Sequence, residues 1–481
     1  MRDIEVSMPA NLYKVVRMRM KSTMKRHHVV AIASSVTLAL SLAACGSDTP
    51  EKPEGSGTGT GTASGDCAAY ESYGDLSGKT VTVYTSIVAP EDQPHIDSYK
   101  PFEECTGASI KYEGSKEFET QLQVRLKAGN APDIAYIPQP GLLKTIVGQF
   151  PDSIVEASAG TSANVDKYYA ASWKGYGTVD GKFYAAPLGA NVKSFVWYSP
   201  SMFADNGYEI PKTYDELIAL SDKIVADHGA EGIKPWCAGI GSGEATGWPA
   251  TDWLEDLVLR EAGIDVYNKW ITNEVKFNDP QIAAALGKVG AILKNDKYVN
   301  GGIGDVKSIA TTEFQDGGLP ILDGNCFMHR QASFYAANWP EGTDVSEEGD
   351  VFAFYFPGMT ADSRPVLGGG EFVAAFADRP EVAAFQAYLS SPEWANAKAK
   401  ATPAGGWVSA NSGLDPENLV SPIDKLSFSL LSDTSQDFGF DASDLMPGNV
   451  GAGSFWTEMT SWIAENKSDT QVLDAIQASW K

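Results

Sequence analysis

A cysteine that directly follows small residues is the first position in this sequence whose chemistry can be inferred. Residues 42–45 read Leu-Ala-Ala-Cys and close an apolar run over residues 29–44, which follows a basic cluster at residues 25–28. A charged segment, an apolar segment and small residues in this order are typical of a secretory signal and its cleavage point. Cleavage before Cys45 would make it the new N-terminus, with a thiolate to which a lipid can be attached.

The motif around Cys45 resembles the lipobox of bacterial lipoproteins. The alternatives are an ordinary signal peptide or a short core helix, and the apolar run is too short to span a membrane comfortably. Residues 1–23 are interpreted as sequence upstream of the true start, because Met24 begins a normal basic segment. We therefore predict a signal peptide over residues 1–44, then a lipidated cysteine and a flexible linker over residues 45–66. This places the protein on the extracytoplasmic face of a bacterial cell membrane.

The four remaining cysteines predict disulfide bonds. They are Cys67, Cys105, Cys237 and Cys326, an even number in a chain expected to leave the cytoplasm. We favour Cys67 with Cys105 and Cys237 with Cys326, because each bond then closes within one half of the chain; buried free thiols are the alternative. No Cys-x-x-Cys motif occurs and the histidines beyond Cys45 are scattered, so we predict no metal site.

Charge and motif content exclude several classes of function. The chain beyond residue 44 keeps 30 basic and 60 acidic residues of the 37 and 62 in the full sequence, a formal charge of about −30. Such a chain is a poor ligand for nucleic acid or an anionic membrane surface. No Gly-x-Ser-x-Gly, His-Glu-x-x-His or P-loop motif occurs, so these hydrolase, metalloprotease and ATPase signatures are absent. We predict no enzyme activity, no cofactor and no nucleic-acid partner.

The first part of the folded chain is predicted to alternate between strands and helices, and these elements must position any functional group. Residues 79–86, 108–112 and 132–137 are short runs rich in β-branched and apolar residues, which predict strands. Over residues 118–126, apolar residues recur every four positions, the pattern of an amphipathic helix. This alternation predicts an α/β domain with a parallel sheet.

Helices are predicted to dominate later in the chain. Thr213 with Glu216 three residues on forms a capping-box sequence, which predicts the start of a helix. The apolar face over residues 249–260 predicts another, ended by Gly263. Helical patterns also follow Pro380, and no internal repeat of fixed spacing occurs.

Several segments along about 400 residues carry a family resemblance through their order and spacing. They are residues 128–134, 180–187, 197–200 running into 211–217, and 445–447 followed by 454–456. In these segments the sequence resembles the carbohydrate-specific solute-binding proteins of bacterial ABC importers, the maltose-binding type. No single segment decides the resemblance, and their order and spacing together carry it.

The resemblance implies a two-lobed α/β fold of the type II periplasmic-binding-protein kind. Each lobe is then a mostly parallel sheet flanked by helices, and the ligand cleft lies at the hinge. It implies a first lobe of residues 67–187 and 358–402, a second lobe of residues 188–357 and 403–481, and hinge strands at residues 187–191 and 354–357. Such a protein closes on its ligand by hinge bending.

For function, the resemblance implies a lipid-anchored receptor that captures an oligosaccharide or α-glucoside and delivers it to a membrane permease. Its partners would be the sugar, the permease subunits of an ABC importer and, through the lipid, the membrane, with the receptor itself a monomer. One alternative is a secreted glycoside hydrolase, which needs two carboxylates across the cleft. Another is a receptor for a non-sugar solute such as a polyamine, which abundant acidic residues favour.

A sugar site needs aromatic rings for the apolar faces of the sugar and polar groups for its hydroxyls. Trp248 lies in a Gly-Trp-Pro sequence at a predicted helix start, where its ring would point outward. Trp456 aligns with a stacking tryptophan of the family, and Phe334 stands where relatives often have tryptophan. Trp407 follows two glycines. Packing in the core is the alternative for these rings.

Polar candidates lie in loops after predicted strands, where open α/β sheets present their ligand groups. Ser86, Ser115 and Gln139 follow predicted first-lobe strands, and Asn191 lies just beyond an implied hinge strand, where it faces the cleft in relatives. Glu244 and Asp252 flank Trp248 and could accept hydroxyl hydrogen bonds. Gly369, Gly370 and Glu371 belong to a glycine-rich segment. The glycines would let backbone N–H groups approach a ligand closely. The alternatives are helix caps or turns for Ser86, Ser115 and Gln139, a surface helix for Asp252, and a tight turn for the glycine-rich segment.

Overall fold

The predicted alternation of strands and helices opens the folded part of the chain. A computed structural model describes residues 65–301 and 305–480. The strands are β1 (Thr80–Thr85), β2 (Ser109–Gly114), β3 (Ile134–Ile137), β4 (Thr178–Val179), β5 (Lys182–Phe183), β6 (Ala185–Pro187), β7 (Asn191–Val192), β8 (Phe195–Tyr198), β9 (Lys234–Cys237), β10 (Val299–Asn300), β11 (Cys326–Arg330), β12 (Phe352–Tyr355), β13 (Val366–Gly369), β14 (Phe372–Ala375) and β15 (Phe438–Phe440).

The helices flank these strands and fill most of the last hundred residues. They are α1 (Asp92–Thr106), α2 (Phe118–Lys127), α3 (Pro140–Gln149), α4 (Ala159–Tyr168), α5 (Ala171–Tyr176), α6 (Pro200–Asn206), α7 (Tyr214–His228), α8 (Trp248–Ala262), α9 (Ile264–Ile271), α10 (Pro280–Leu293), α11 (Pro380–Leu389), α12 (Pro392–Lys400), α13 (Pro422–Ser432), α14 (Ala442–Leu445), α15 (Trp456–Ala464) and α16 (Asp469–Ser479). A π-helical segment, Asn449–Phe455, leads directly into α15.

Local signals in the sequence explain several of these helix ends. Thr213 caps α7, and its side chain accepts a hydrogen bond from the Glu216 N–H. The Glu216 carboxylate bonds the N–H of Lys212, one residue before the expected partner of a capping box. Helix α8 ends at Gly263 as predicted and begins at Trp248, one residue before the predicted start.

The first five-stranded sheet has the strand order β2-β1-β3-β14-β6. Strands β2, β1 and β3 are parallel, whereas β14 is antiparallel to both β3 and β6. Four strands therefore point in one direction and only β14 is reversed. This sheet carries the core that we call the first lobe, which includes Val83, Phe102 and Tyr136.

The second five-stranded sheet repeats this plan with the order β10-β9-β11-β8-β12. Strands β10, β9 and β11 are parallel, and β8 is antiparallel to both β11 and β12. Again four strands share one direction. We call the body built on this sheet the second lobe; its core includes Trp236, Leu254 and Trp462. Two sheets of one reversed strand each, with helices packed on both, make the two-lobed α/β fold.

The chain crosses between the two sheets beside a small three-stranded sheet, β15-β13-β7. The first crossing follows β6 as expected, since Asn191 already pairs with Gly369 of β13. The second crossing differs from our expectation at residues 354–357. Phe354 still pairs with Val196 in the second sheet, and Phe356 packs in the second core. The chain enters the first sheet only at Phe372, so residues 369–372 make this crossing.

Two disulfides join the pairs that we favoured. The Cα atoms of Cys67 and Cys105 lie 5.4 Å apart, and their disulfide joins the segment before β1 to α1. The Cα atoms of Cys237 and Cys326 lie 5.7 Å apart on the adjacent strands β9 and β11. Cys45, the predicted signal and most of the linker lie outside the described residues. Within the described ranges no helix has the length and apolar character needed to cross a membrane.

Candidate functional site

A cleft lies between the two lobes and draws its walls from both. Ser86 after β1 and Gln139 after β3 line it from the first lobe, and Trp248 and Phe334 line it from the second. Its empty volume, including the part open to solvent, is about 1370 Å³. The polar residues come from the carboxyl ends of parallel strands, where ligands bind in open α/β sheets.

An aromatic wall covers the second-lobe side of this cleft. The ring centre of Trp248 lies 5.1 Å from that of Phe314 and 5.9 Å from that of Phe334, both in tilted or edge-on arrangements. Trp456 adds a ring on this side that is 5% exposed, whereas Trp407, 6% exposed, lines the cleft from the first-lobe core. Rings held in this way expose flat apolar surface, which suits the C–H face of a hydroxylated ring.

The positions of Trp248 and Trp456 depend on the residue between them in space, Gly247. Its φ is +114°, and a Cβ there would lie 2.2 Å from the backbone oxygen of Trp456 and 2.7 Å from the Thr460 hydroxyl. The start of α8 therefore packs directly on the start of α15. A glycine is required both for the backbone conformation and for this close approach.

Replacing Gly247 with alanine is expected to lower the free energy of unfolding by about 2–4 kcal/mol, because left-handed strain and a backbone clash add together. Thermal and urea unfolding measure this change. The control is Gly129→Ala, where φ is +68° and nothing lies within 4 Å of the new Cβ. That variant retains only the strain of about 1–2 kcal/mol, so equal losses in both variants would contradict the packing role.

Five buried polar atoms on the cleft wall have no hydrogen-bond partner among the residues that the structure describes. They are His95 Nδ1, Gln139 Oε1, Asn191 Oδ1, Gln315 Oε1 and Trp407 Nε1. A buried polar group without a partner costs free energy. Since the first lobe, the crossing segment and the second lobe all contribute, one ligand that satisfied these atoms would contact both lobes.

A buried charge network lies beside the aromatic wall, and Lys193 is its centre. The Lys193 ammonium bonds Asp252 Oδ1 at 3.0 Å and also bonds Asp441, and it lies 5.3 Å from the ring centre of Trp248. All three charged residues are less than 7% exposed. The network thus fixes the first crossing segment to α8 and to the loop after β15.

The same carboxylates, with Glu255, have the spacing of a metal site. Lys193 bonds two of them, and Glu255 accepts hydrogen bonds from the N–H groups of Ala442 and Ser443 at 2.9 and 3.1 Å. These groups form an internal salt bridge around an ammonium ion, and we assign no metal to them.

Ionisable groups on the cleft floor have displaced pKa values. Burial raises the pKa of Glu91 to about 7, and it lowers the pKa of Lys398 to about 7. Burial also raises the pKa values of Glu119 and Glu371, and it holds the pKa of His95 well below its ordinary value. Burial thus shifts each of these groups towards its neutral form.

The structure brings most of the predicted site residues to this cleft. Those that line it are Ser86, Gln139, Asn191, Trp248, Phe334, Gly370, Glu371, Trp407 and Trp456. Their ligand contacts remain predictions. Trp248, Phe334 and Trp456 line the cleft from the second lobe, and Trp407 lines it from the first-lobe core. Ser86 and Gln139 follow β1 and β3, as predicted.

Four predicted residues do not line the cleft. Ser115 accepts a hydrogen bond from the Glu117 N–H and so caps the following turn, which was the alternative to ligand binding. Glu244 is exposed in a short 3-10 turn. Asp252 points into the charge network and is fully buried, because it lies on the inward face of α8. Gly369 lies behind the wall, paired with Asn191 in the small sheet.

Sequence reasoning missed several charged residues of the cleft. Glu91, Lys193, Lys398, Asp441 and Asp444 all line it. Asp441 directly follows β15 and so obeys the strand-end rule that found the other candidates, but β15 is only three residues long. Lys398 lies on a helix with no distinguishing local pattern, and nothing in the sequence marks it.

Comparison with known proteins agrees with this architecture. The family model for bacterial extracellular solute-binding proteins matches residues 83–396. The chain belongs to this family. As a solute-binding protein it is 38% identical over 425 residues to the alpha-glucosides-binding periplasmic protein AglE of Rhizobium meliloti, a match that covers 84% of this chain and 88% of that one. It is 34% identical over 411 residues to the osmoprotective compounds-binding protein GgtB of Synechocystis, covering 85% and 94%.

Solved structures show the same fold at low sequence identity. Maltose-bound MalE3 of T. maritima matches this solute-binding protein with a TM-score of 0.64 and 15% identity, covering 83% of this chain and 98% of that one. RafE in complex with raffinose matches with a TM-score of 0.62 and 17% identity, covering 83% and 98%. These relatives are binding proteins, and the two-lobed fold is shared with them.

Proposed function

We propose that this solute-binding protein is the lipid-anchored receptor of an ABC importer and that it captures a neutral sugar, an α-glucoside or short oligosaccharide, between its lobes. The observation that carries the proposal is an aromatic wall that faces unpartnered buried polar atoms from both lobes. Aromatic faces and convergent polar groups are the two requirements of a sugar site. AglE is named for alpha-glucosides, which supports this class of ligand.

Capture requires that the ligand stabilise the closed arrangement of the lobes. The structure has contacts across the cleft on both sides, since Lys116 Nζ lies 3.0 Å from Glu313 Oε2 and Asn338 Nδ2 lies 3.2 Å from Glu91 Oε1. Only a ligand that binds the closed state better shifts the equilibrium towards it. We propose residues 187–191 and 369–372 as the hinge. The first segment agrees with the boundary that the family resemblance implies, whereas the second lies beyond the implied residues 354–357. Residues 403–481 were expected in the second lobe, but Trp407, Val408, Leu414 and Leu419 pack in the first core.

Sugar binding can be tested by following tryptophan fluorescence during titration with α-glucosides, other oligosaccharides and cationic solutes. We expect a saturable change with a neutral sugar, because Trp248, Trp407 and Trp456 line the cleft. Chromatography of the incubated samples must show the sugar unchanged. Cleavage of the sugar would favour a hydrolase, and saturation by a polyamine alone would favour the cationic alternative.

The proposed anchor is Cys45, and Cys45→Ser is expected to abolish incorporation of labelled palmitate and move the protein from the membrane to the soluble fraction. The hydroxyl of serine is far less nucleophilic than the thiolate that it replaces. Ser47→Ala, two residues away in the linker, is the matched control and should retain the label. Labelled Cys45→Ser protein would place the lipid elsewhere.

A further inference from the structure

Glu91 and Asn338 form a contact between the lobes that the sequence did not indicate. Glu91 is the N-cap residue of α1 in the first lobe and lines the cleft. Asn338 lies in the second lobe, is 9% exposed, and donates from Nδ2 to Glu91 Oε1 at 3.2 Å. The two residues are 247 positions apart in the chain, so the bond exists only while the lobes are together.

The other polar atom of the Asn338 side chain, Oδ1, lacks a hydrogen-bond donor within the described part of the chain. Asn338 Oδ1 is buried, and no described residue forms a hydrogen bond with it. An ionised carboxylate cannot satisfy it, because both are acceptors. A protonated carboxyl can, since a carboxylic acid and a carboxamide exchange two hydrogen bonds, one in each direction.

The surroundings of Glu91 favour the protonated form. Within the described part of the chain no Lys or Arg nitrogen lies within 4.0 Å of its carboxyl group. Burial, the largest cause, and the nearby Glu371 raise its pKa to about 7, while the Asn338 bond and Lys398 lower it in part. The titratable groups that surround it are Asp92 and His95 on α1, Tyr112 on β2, Glu371 after β13 and Lys398 on α12.

We propose that Glu91 acts in the closed cleft as a neutral carboxylic acid, paired with Asn338, and that this pair is a specificity-determining contact that selects uncharged hydroxylated ligands. The inference rests on the proposed sugar-receptor function and deepens it. A neutral acid offers both a donor and acceptors to a ligand hydroxyl. A cationic ligand would instead draw the proton off Glu91 and break one of the two bonds to Asn338.

Proton linkage follows from this pair. If opening the lobes returns Glu91 to its ordinary pKa of 4.5, closure at intermediate pH takes up one proton, because the closed-state value is about 7. Affinity is then highest below pH 4.5, falls by up to about tenfold per pH unit as pH rises towards 7, and levels off above it. Lys398 affects the pH dependence of affinity in the opposite direction, because closure releases a proton if it lowers the pKa of Lys398. The pH dependence of wild-type affinity alone therefore cannot be assigned to Glu91.

The test compares the Kd of the tightest-binding neutral sugar for wild type and Glu91→Gln between pH 4.5 and 8. Glutamine has the shape of the protonated acid and does not titrate, so the ratio of wild-type to variant Kd should rise at least tenfold from pH 4.5 to 7 and then stay constant. Calorimetry in buffers of different ionisation enthalpy should show more proton uptake on binding for wild type than for the variant.

Two further variants make the outcome decisive. Glu117→Gln changes an exposed carboxylate of the same lobe and should give a ratio that does not change with pH. Asn338→Asp should weaken binding most at high pH. The double variant with Glu91→Gln should regain much of the loss, because the new amide can donate to the new carboxylate.

A ratio of wild-type to Glu91→Gln Kd that stays constant with pH, with sugar binding intact, overturns the acid–amide pair. Absence of sugar binding to wild type at every pH overturns the proposed function as well.

Discussion

Replacing Lys193 with methionine is expected to lower the free energy of unfolding by about 3–5 kcal/mol, the usual loss when one partner of a buried ion pair is removed. Methionine keeps much of the side-chain volume but removes the charge that Asp252 and Asp441 both contact. Two buried carboxylates would then lack their shared cation. Urea unfolding at neutral pH, monitored by tryptophan fluorescence, measures the loss.

The pH dependence of this variant has a definite sign. Burial tends to raise the pKa of Asp441, but Lys193 outweighs it and holds the pKa below its ordinary value. Burial already raises the pKa of Asp252 to about 7. Without Lys193 the pKa values of Asp252 and Asp441 should both rise further, so each can become neutral by binding a proton. The loss of unfolding free energy in the variant should therefore become smaller as pH falls from neutral towards 5. The folded variant then binds protons at these carboxylates, and this removes their unpaired negative charge.

Lys223→Met is the matched control for Lys193→Met. Lys223 also forms an ion pair, with Asp227 at 2.6 Å, but its side chain is 56% exposed. Exposed pairs contribute about 0–1 kcal/mol. Similar small losses in the two variants would show that the Lys193 network does not hold the crossing segment in place.

Replacing Trp248 with alanine is expected to weaken sugar binding by about 1–3 kcal/mol, roughly 5- to 150-fold in Kd. Its ring forms the centre of the aromatic wall, between Phe314 and Phe334, and lies over the Lys193 ammonium. Alanine removes the stacking surface and leaves a gap beside both phenylalanines. Isothermal titration calorimetry with the preferred sugar measures the change.

Two companion variants separate stacking from general loss of structure. Trp248→Phe retains an aromatic face and should recover part of the affinity. Trp480→Ala removes a partly buried tryptophan that packs on the second-lobe core without lining the cleft, and it should leave Kd unchanged. Unchanged affinity in Trp248→Ala would assign this ring to packing alone.

Elements with a strong local signal could be predicted from the sequence. The β-branched run that forms β1 and the four-residue apolar period of α2 need no partner to be recognised, and both elements have nearly the predicted bounds. Thr213 likewise caps α7 through a contact three residues away. The crossing at residues 369–372 was misplaced because pairing of β13 with β7 and of β14 with β3 joins distant parts of the chain.

Site residues that directly follow a strand could be predicted from the sequence. Those whose position depends on contacts between distant segments could not. Gln139 was placed in the cleft by the rule that ligands gather at the carboxyl ends of strands. Asn191, which begins β7, was placed there by the family resemblance. Asp252 looked like a ligand group, but only the packing of α8 shows that it faces Lys193. The Glu91–Asn338 contact could not be found, because it forms only when two distant segments meet across the cleft.

A crystal structure of the complex with the tightest-binding neutral sugar tests the central claim most directly. We expect the sugar to lie between the lobes with one ring face against Trp248. Its hydroxyls should bond atoms that now lack partners, including Gln139 Oε1, Asn191 Oδ1 and Trp407 Nε1. A sugar bound outside this cleft, or held by one lobe alone, would contradict the account.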